Sequence, residues 1–150
     1  MAPAFELPNQ LGELVDLASF RGRWVVLFFY PKDDTPGCTK EACAFRDALP
    51  RFDGVDAVVL GVSPDEAASH QKFIAKYDLP FALLSDSSHK VAEQYGAWGK
   101  KNRYGREFEG VIRSTFVIAP DGTLAKCFYN VRVDGHDAKV LAAIDAARAA

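Results

Sequence analysis

Cysteine is scarce in this chain of 150 residues, with 3 in all: Cys38, Cys43 and Cys127. A small, odd number excludes a disulfide framework and points to a reducing compartment such as the cytoplasm. It also disfavours structural zinc. Four residues separate Cys38 from Cys43, and His70, His89 and His136 stand far apart, so no four-ligand set is visible. A basic excess is missing as well: 18 Lys and Arg face 20 Asp and Glu, for a net charge of −2. Binding of nucleic acid would call for the opposite balance. Long apolar runs are absent. The longest, Trp24 to Tyr30, is far too short to cross a bilayer. The opening Met1-Ala2-Pro3-Ala4-Phe5-Glu6 has neither a basic segment nor an apolar stretch, so export by a secretory signal is not predicted. Repeats, low-complexity tracts, linkers and the G-x-S-x-G, H-E-x-x-H and Walker patterns are also lacking.

What is present is ordinary globular composition, 49% hydrophobic and 25% charged. Residues 1–150 read as a single domain, able to bury roughly 70% of its unfolded surface without disulfide or metal. Apolar runs alternate with helical patterns, which indicates an α/β sheet. A short N-terminal segment, with a hairpin around Asn9 to Glu13, precedes the run Trp24–Tyr30. That run is apolar at every position, as a strand covered on both faces requires, and Pro31 ends it. A helix is predicted from Pro36 to Arg51, a buried strand over Ala57–Val62, and a helix over Glu66–Tyr77. A short strand at Ala82–Leu84 and a short helix at Lys90–Tyr95 follow. Strands Ser114–Ile118 and Leu124–Phe128 flank the turn Pro120-Asp121-Gly122. A last helix runs from about His136 to Ala149 and buries Val140, Leu141 and Ile144. Gly96, Gly99 and Gly105 read as loop, with no phosphate-cradle spacing. Trp98, Tyr104 and Phe108 read as packing residues near a site rim.

The chemistry concentrates directly after the first buried strand, in Tyr30-Pro31-Lys32-Asp33-Asp34-Thr35-Pro36-Gly37-Cys38-Thr39-Lys40-Glu41-Ala42-Cys43. Open α/β sheets place their sites at that carboxyl edge. Thr35 suits an N-cap and Pro36 the first helical position, so Cys38 falls in the first turn. Free amides and the positive end of the helix dipole there favour a thiolate. A buried core cysteine belongs mid-strand or on an inward helix face, whereas a strand-to-helix turn is accessible by default. Asp33 and Asp34 oppose the thiolate if they lie close. Arg113, opening the strand Ser114–Ile118, supplies a compensating charge if that strand neighbours the first. On a continuous helix the Cα atoms of Cys38 and Cys43 lie roughly 8–9 Å apart, beyond the ~7 Å limit for a disulfide. A bond between them requires unwinding, and the residues alone leave Cys43 open between an inert and a reactive thiol. Cys127, alternating with Lys126, reads as a buried core thiol.

Pro31-x-x-x-Thr35-x-x-Cys38 resembles the active-site signature of the peroxiredoxins. With Cys43, Phe45-Arg46-Asp47, Gly61-Val62-Ser63-Pro64-Asp65 and Arg113-Ser114-Thr115-Phe116-Val117-Ile118, it resembles the bacterioferritin comigratory protein, or Q-type, subfamily over almost the whole chain. The resemblance implies a thioredoxin-like fold: a central mixed sheet flanked by helices, with an N-terminal extension and an extra helix before the last hairpin. It implies a peroxidatic Cys38 that becomes a sulfenic acid, with Thr35 and Arg113 holding the peroxide oxygens and Pro31 shielding the sulfur. It further implies a resolving Cys43 and reduction by a thioredoxin- or glutaredoxin-type donor, with no cofactor or metal, on hydrogen peroxide or organic hydroperoxides. The lack of a Gly-rich insertion after Pro80 and of a C-terminal arm implies a monomer or weak dimer. Two other readings are a thioredoxin-like thiol–disulfide oxidoreductase and a non-enzymatic peroxide-sensing adaptor. The first fits the four-residue spacing poorly, since those enzymes use Cys-x-x-Cys; the second lacks a large apolar or charged face.

Overall fold

The structure is a computed structural model, and it describes residues 1–149. Strands β1 (Glu6–Pro8) and β2 (Leu14–Asp16) form the N-terminal hairpin, and a 3-10 turn (Leu17–Phe20) leads to β3 (Trp24–Phe29). Next come α1 (Pro36–Asp53), β4 (Ala57–Ser63), α2 (Ala67–Tyr77), β5 (Ala82–Ser85) and α3 (Lys90–Gln94). Strands β6 (Trp98–Arg103), β7 (Arg106–Val111), β8 (Ser114–Ile118), β9 (Leu124–Phe128) and helix α4 (His136–Ala149) complete the described chain. The main sheet has the order β5-β4-β3-β8-β9. It is mixed: β3–β4 and β4–β5 pair parallel, β3–β8 and β8–β9 antiparallel. This is the thioredoxin-like plan that the sequence resembles.

Strand β3 lies at the centre because it feeds two cores at once. Alternate residues point to opposite faces. Val26 and Phe28 enter a core built with Phe45, Phe52, Phe73, Val140 and Ile144 from α1, α2 and α4. Val25, Leu27 and Phe29 enter the other, with Leu60, Leu84, Val91 and Phe116. Gly61 on β4 leaves room for the side chains of its cross-strand neighbours on either side. A Cβ there would stand 2.7 Å from Leu83 Cδ2 and 2.9 Å from Phe28 Cζ.

Register then positions the site. Phe29 lies opposite Ser114, so Arg113 precedes β8 at the edge where β3 turns into α1. Helix α1 starts as Pro36 predicts and ends two residues later than expected, tolerating Pro50 inside its last turns. Four expectations need correction. Residues 98–111 are not loop: β6 and β7 form a hairpin, with Gly99 inside β6 and Tyr104 and Gly105 at the turn with positive φ. Tyr104 is 93% exposed and Phe108 43%, so neither belongs to a core. Leu141 is only half-buried against its core. Cys127 is half-buried, because β9 is the sheet's outer strand and only its inward end touches the second core. Burial still pushes its thiol up, against the opposing charge of Lys126.

Candidate active site

Cys38 sits in the first turn of α1, as its spacing from Thr35 and Pro36 predicts. It is 1% exposed rather than accessible, because the turn folds back on the sheet edge beneath Arg113. The sulfur is not remote from charge. Arg113 Nη2 donates to Cys38 Sγ at 3.3 Å. Gly37 leaves the room for that approach, since a Cβ there would stand 3.1 Å from the same nitrogen. Arg113 also lines an open hollow of about 390 Å³ with Lys100, Lys101, Ile112, Asn130 and Val131.

The other arm of the guanidinium holds a residue that the sequence reading did not single out. Arg113 Nη1 donates to Glu41 Oε1 at 2.8 Å, and Glu41 is 1% exposed. Its second oxygen, Oε2, is buried without a hydrogen-bond partner. Burial pushes this carboxyl up to about 7, even though Arg113 pulls the other way. Burial also works against the charge on Arg113, but Glu41 and then Cys38 outweigh it and hold the guanidinium firmly protonated. Glu41 follows Cys38 by three residues, so both side chains lie on one face of the helix. That spacing was the available signal, and an acidic residue near a helix start reads by default as a solvated one.

Thr35 is the N-cap by backbone conformation, but its side chain makes no capping bond. Its hydroxyl donates instead to the carbonyl of Lys32 at 2.8 Å. The oxygen's lone pairs thus remain for a second partner. Pro31, half-buried, ends β3 next to this loop.

Both aspartates of the loop are tied to side chains of α2. Asp33 is buried, taking hydrogen bonds from Tyr30 Oη at 2.6 Å and Ser69 Oγ at 2.8 Å, with His70 Nδ1 at 2.7 Å. The far nitrogen of His70 meets the carbonyl of Leu84 at 3.1 Å. The backbone amide of Asp33 donates to Asp65 Oδ2 at 2.7 Å, which explains the polar end of the Ser63-Pro64-Asp65 stretch. Burial first, and Asp33 next, push the Tyr30 phenol well above its ordinary range. No local pattern predicts this cluster, because its members come from the loop after β3, the end of β4, α2 and β5.

Cys43 is half-buried one turn further along α1, and both it and Cys38 are free thiols. The helix between them is continuous, so the two sulfurs are held apart as the spacing requires. Among the described residues, no group of three or more His, Cys, Asp or Glu is placed to hold a metal ion. No helix there is long and apolar enough to cross a membrane.

A buried sulfur at a helix start, facing a guanidinium locked by a buried carboxylate, is equipped to attack a small polar oxidant. Residues 1–127 match the model of the AhpC/TSA family. The chain is 49% identical over 140 residues to a putative peroxiredoxin bcp of Coxiella burnetii, covering 93% of each. It is equally 49% identical to peroxiredoxin Bcp of Bacillus subtilis, covering 93% of this chain and 89% of the relative. The bacterioferritin comigratory protein of Xanthomonas campestris, which has alkyl peroxide reduction activity, superposes with a TM-score of 0.90 at 39% identity. That match covers 95% of this chain and 90% of the other.

Proposed function

The chain belongs to the AhpC/TSA family, and from that premise we propose that Cys38 is the sulfur at which it reduces peroxides. The protein is a peroxiredoxin, a thiol-dependent peroxidase. The observation that supports the assignment best is the 3.3 Å contact between Arg113 and the Cys38 sulfur. In the first step the Cys38 thiolate attacks the nearer peroxide oxygen. The O–O bond breaks, Cys38 becomes a sulfenic acid, and the leaving oxygen departs as water or an alcohol once protonated. Arg113 favours the negative charge that moves from sulfur to the leaving oxygen. Thr35, whose proton is directed to the Lys32 carbonyl, accepts the O–H of the bound peroxide. Pro31 limits water around the oxidised sulfur.

In the second step the Cys43 thiol displaces hydroxide from the sulfenic acid, giving a Cys38–Cys43 disulfide and water. The net reaction is peroxide plus two thiols to alcohol, or water, plus one disulfide and water. The first turns of α1 unwind for this to happen. A thioredoxin- or glutaredoxin-type dithiol then restores both cysteines in the cytoplasm, with the enzyme a monomer or weak dimer. Hydrogen peroxide and organic hydroperoxides are the substrates.

Intact mass after one equivalent of hydrogen peroxide tests the scheme. The expected result is a loss of two hydrogens mapping to Cys38 and Cys43. Cys38→Ser abolishes turnover, and a variant that kept full activity would overturn the assignment. Cys43→Ser leaves the first oxidation intact and stops thioredoxin-linked turnover; continued turnover would move resolution to an external thiol or to Cys127.

A further inference from the structure

For the two sulfurs to meet, residues 35–43 have to leave their helical path, and one residue of α2 holds both ends of that stretch. Immediately before it, Asp34 stands in the left-handed region at φ 55°. That conformation is uncommon outside glycine and is kept only where surroundings fix it. Its Oδ1 accepts from Tyr77 Oη at 2.7 Å and its Oδ2 from Lys76 Nζ at 2.9 Å. Just beyond the stretch, Arg46 Nη1 donates to the backbone carbonyl of the same Tyr77 at 2.7 Å. Tyr77 is the last residue of α2. The stretch itself is tied elsewhere: Cys38 and Glu41 to Arg113, Lys40 to Asp134, Thr35 to Lys32. Breaking these contacts therefore leaves the two Tyr77 bonds in place.

We propose that the end of α2 is a staple that confines unwinding of α1 to residues 35–43, with Tyr77 and Arg46 as positioning residues for the resolving step. The inference rests on the reading of Cys43 as the resolving thiol. With both ends held, the sulfurs search within a short loop whose closure costs little entropy. From Phe45 onward, the helix is kept by apolar packing. Phe45 stacks on Phe28 with centroids 4.9 Å apart, and Ala48 and Phe52 are buried. Without the staple, opening spreads along the chain from both sides.

Amide hydrogen exchange on the full chain, reduced and after one equivalent of hydrogen peroxide, tests this. In the oxidised wild type, amides of residues 37–43 exchange at least about 10-fold faster than in the reduced form, while those of 46–53 keep their protection. In oxidised Tyr77→Phe, which loses only the hydroxyl, and in Arg46→Met, fast exchange extends past Ala48. Arg46→Lys, which keeps a cationic donor, keeps the wild-type boundary. Reduced forms of all variants match the reduced wild type, and each consumes its first equivalent of peroxide at the wild-type rate. An unchanged boundary in oxidised Tyr77→Phe or Arg46→Met overturns the staple, as does a boundary already at Phe52 in the oxidised wild type. A boundary that shifts in the reduced variants as well reduces both residues to general stability and overturns the positioning role. A wild type that forms no Cys38–Cys43 disulfide overturns the resolver reading, and the staple with it.

Discussion

The two halves of α1 are built on different physics. Its first two turns bury Cys38 and Ala42 and add polar contacts: Arg113 to the Cys38 sulfur and to Glu41, and Lys40 to Asp134. Its later turns are held by apolar packing, with Phe45, Ala48 and Phe52 each at most 1% exposed. Phe45 also meets Phe52 and His136 edge-on or tilted at about 6 Å. Polar contacts that include a buried, half-satisfied carboxylate are strong when complete and costly when not. Apolar packing has no such alternative. If Cys43 resolves Cys38 as proposed, a helix that opens at one end and stays folded at the other is served by this division.

Substitutions in the two halves should separate stability from chemistry. The largest effect is expected for Phe52→Ala. Removing a fully buried ring from the core costs about 3–5 kcal/mol of unfolding free energy. Its rate with the first equivalent of peroxide should stay near wild type at temperatures where it is folded. Denaturant unfolding and a single-turnover assay read the two quantities, and a large fall in the rate would break the contrast.

The next effect is expected for Glu41→Gln, and it depends on pH. Burial raises the Glu41 carboxyl from 4.5 to about 7 in the folded protein. The native state therefore binds more protons than the unfolded state between those values, and this group's contribution to stability declines as pH rises through that window. The full penalty above pH 7 is on the order of 3 kcal/mol. Glutamine keeps an acceptor for Arg113 without the charge. Relative to wild type, Glu41→Gln should thus melt progressively higher as pH climbs from about 4.5 to 7. Melting temperatures across pH 4 to 8 check this, and a constant difference would refute it. His136 runs the other way in both proteins: burial holds its imidazole down to about 4, so its contribution falls away as pH drops from 6.5 towards 4. The difference between the two proteins isolates Glu41.

The smallest effect belongs to Lys40→Ala. The pair with Asp134 joins two exposed side chains, at 63% and 83%. Exposed pairs of this kind contribute about 0–1 kcal/mol and less at high salt. A loss above about 1 kcal/mol in chemical denaturation would mean that the first turns depend on more than Arg113.

Much of this molecule was legible because apolar runs declare buried strands. Trp24–Tyr30 and Ala57–Val62 have no polar alternative to burial, and Thr35-Pro36 marks a helix start. The β6–β7 hairpin was not legible for the converse reason. Lys100, Lys101, Asn102, Arg106, Glu107 and Glu109 give no apolar face, and its turn is Tyr104-Gly105 rather than the usual Asn-Gly. At the site, Cys38, Arg113 and the cap position of Thr35 could be placed from local pattern and strand order. The direction of the Thr35 hydroxyl, the burial of Cys38 and the roles of Glu41, Asp33 and His70 depend on which elements meet, and one sequence does not state that. Cys127 misled because alternation along a strand fixes the face but not whether another layer covers it.

The pairing of Phe29 with Ser114 has a consequence for biogenesis. Cys38 and Arg113 are 75 positions apart along the chain, and they meet because β8 docks antiparallel on β3. A slip of one residue in that docking would send every β8 side chain to the wrong face. Peroxide consumption during refolding from denaturant should therefore lag behind helix formation and rise together with assembly of the sheet's centre. On the proposed mechanism, a newly made chain should begin to consume peroxide only once β8 is in register on β3.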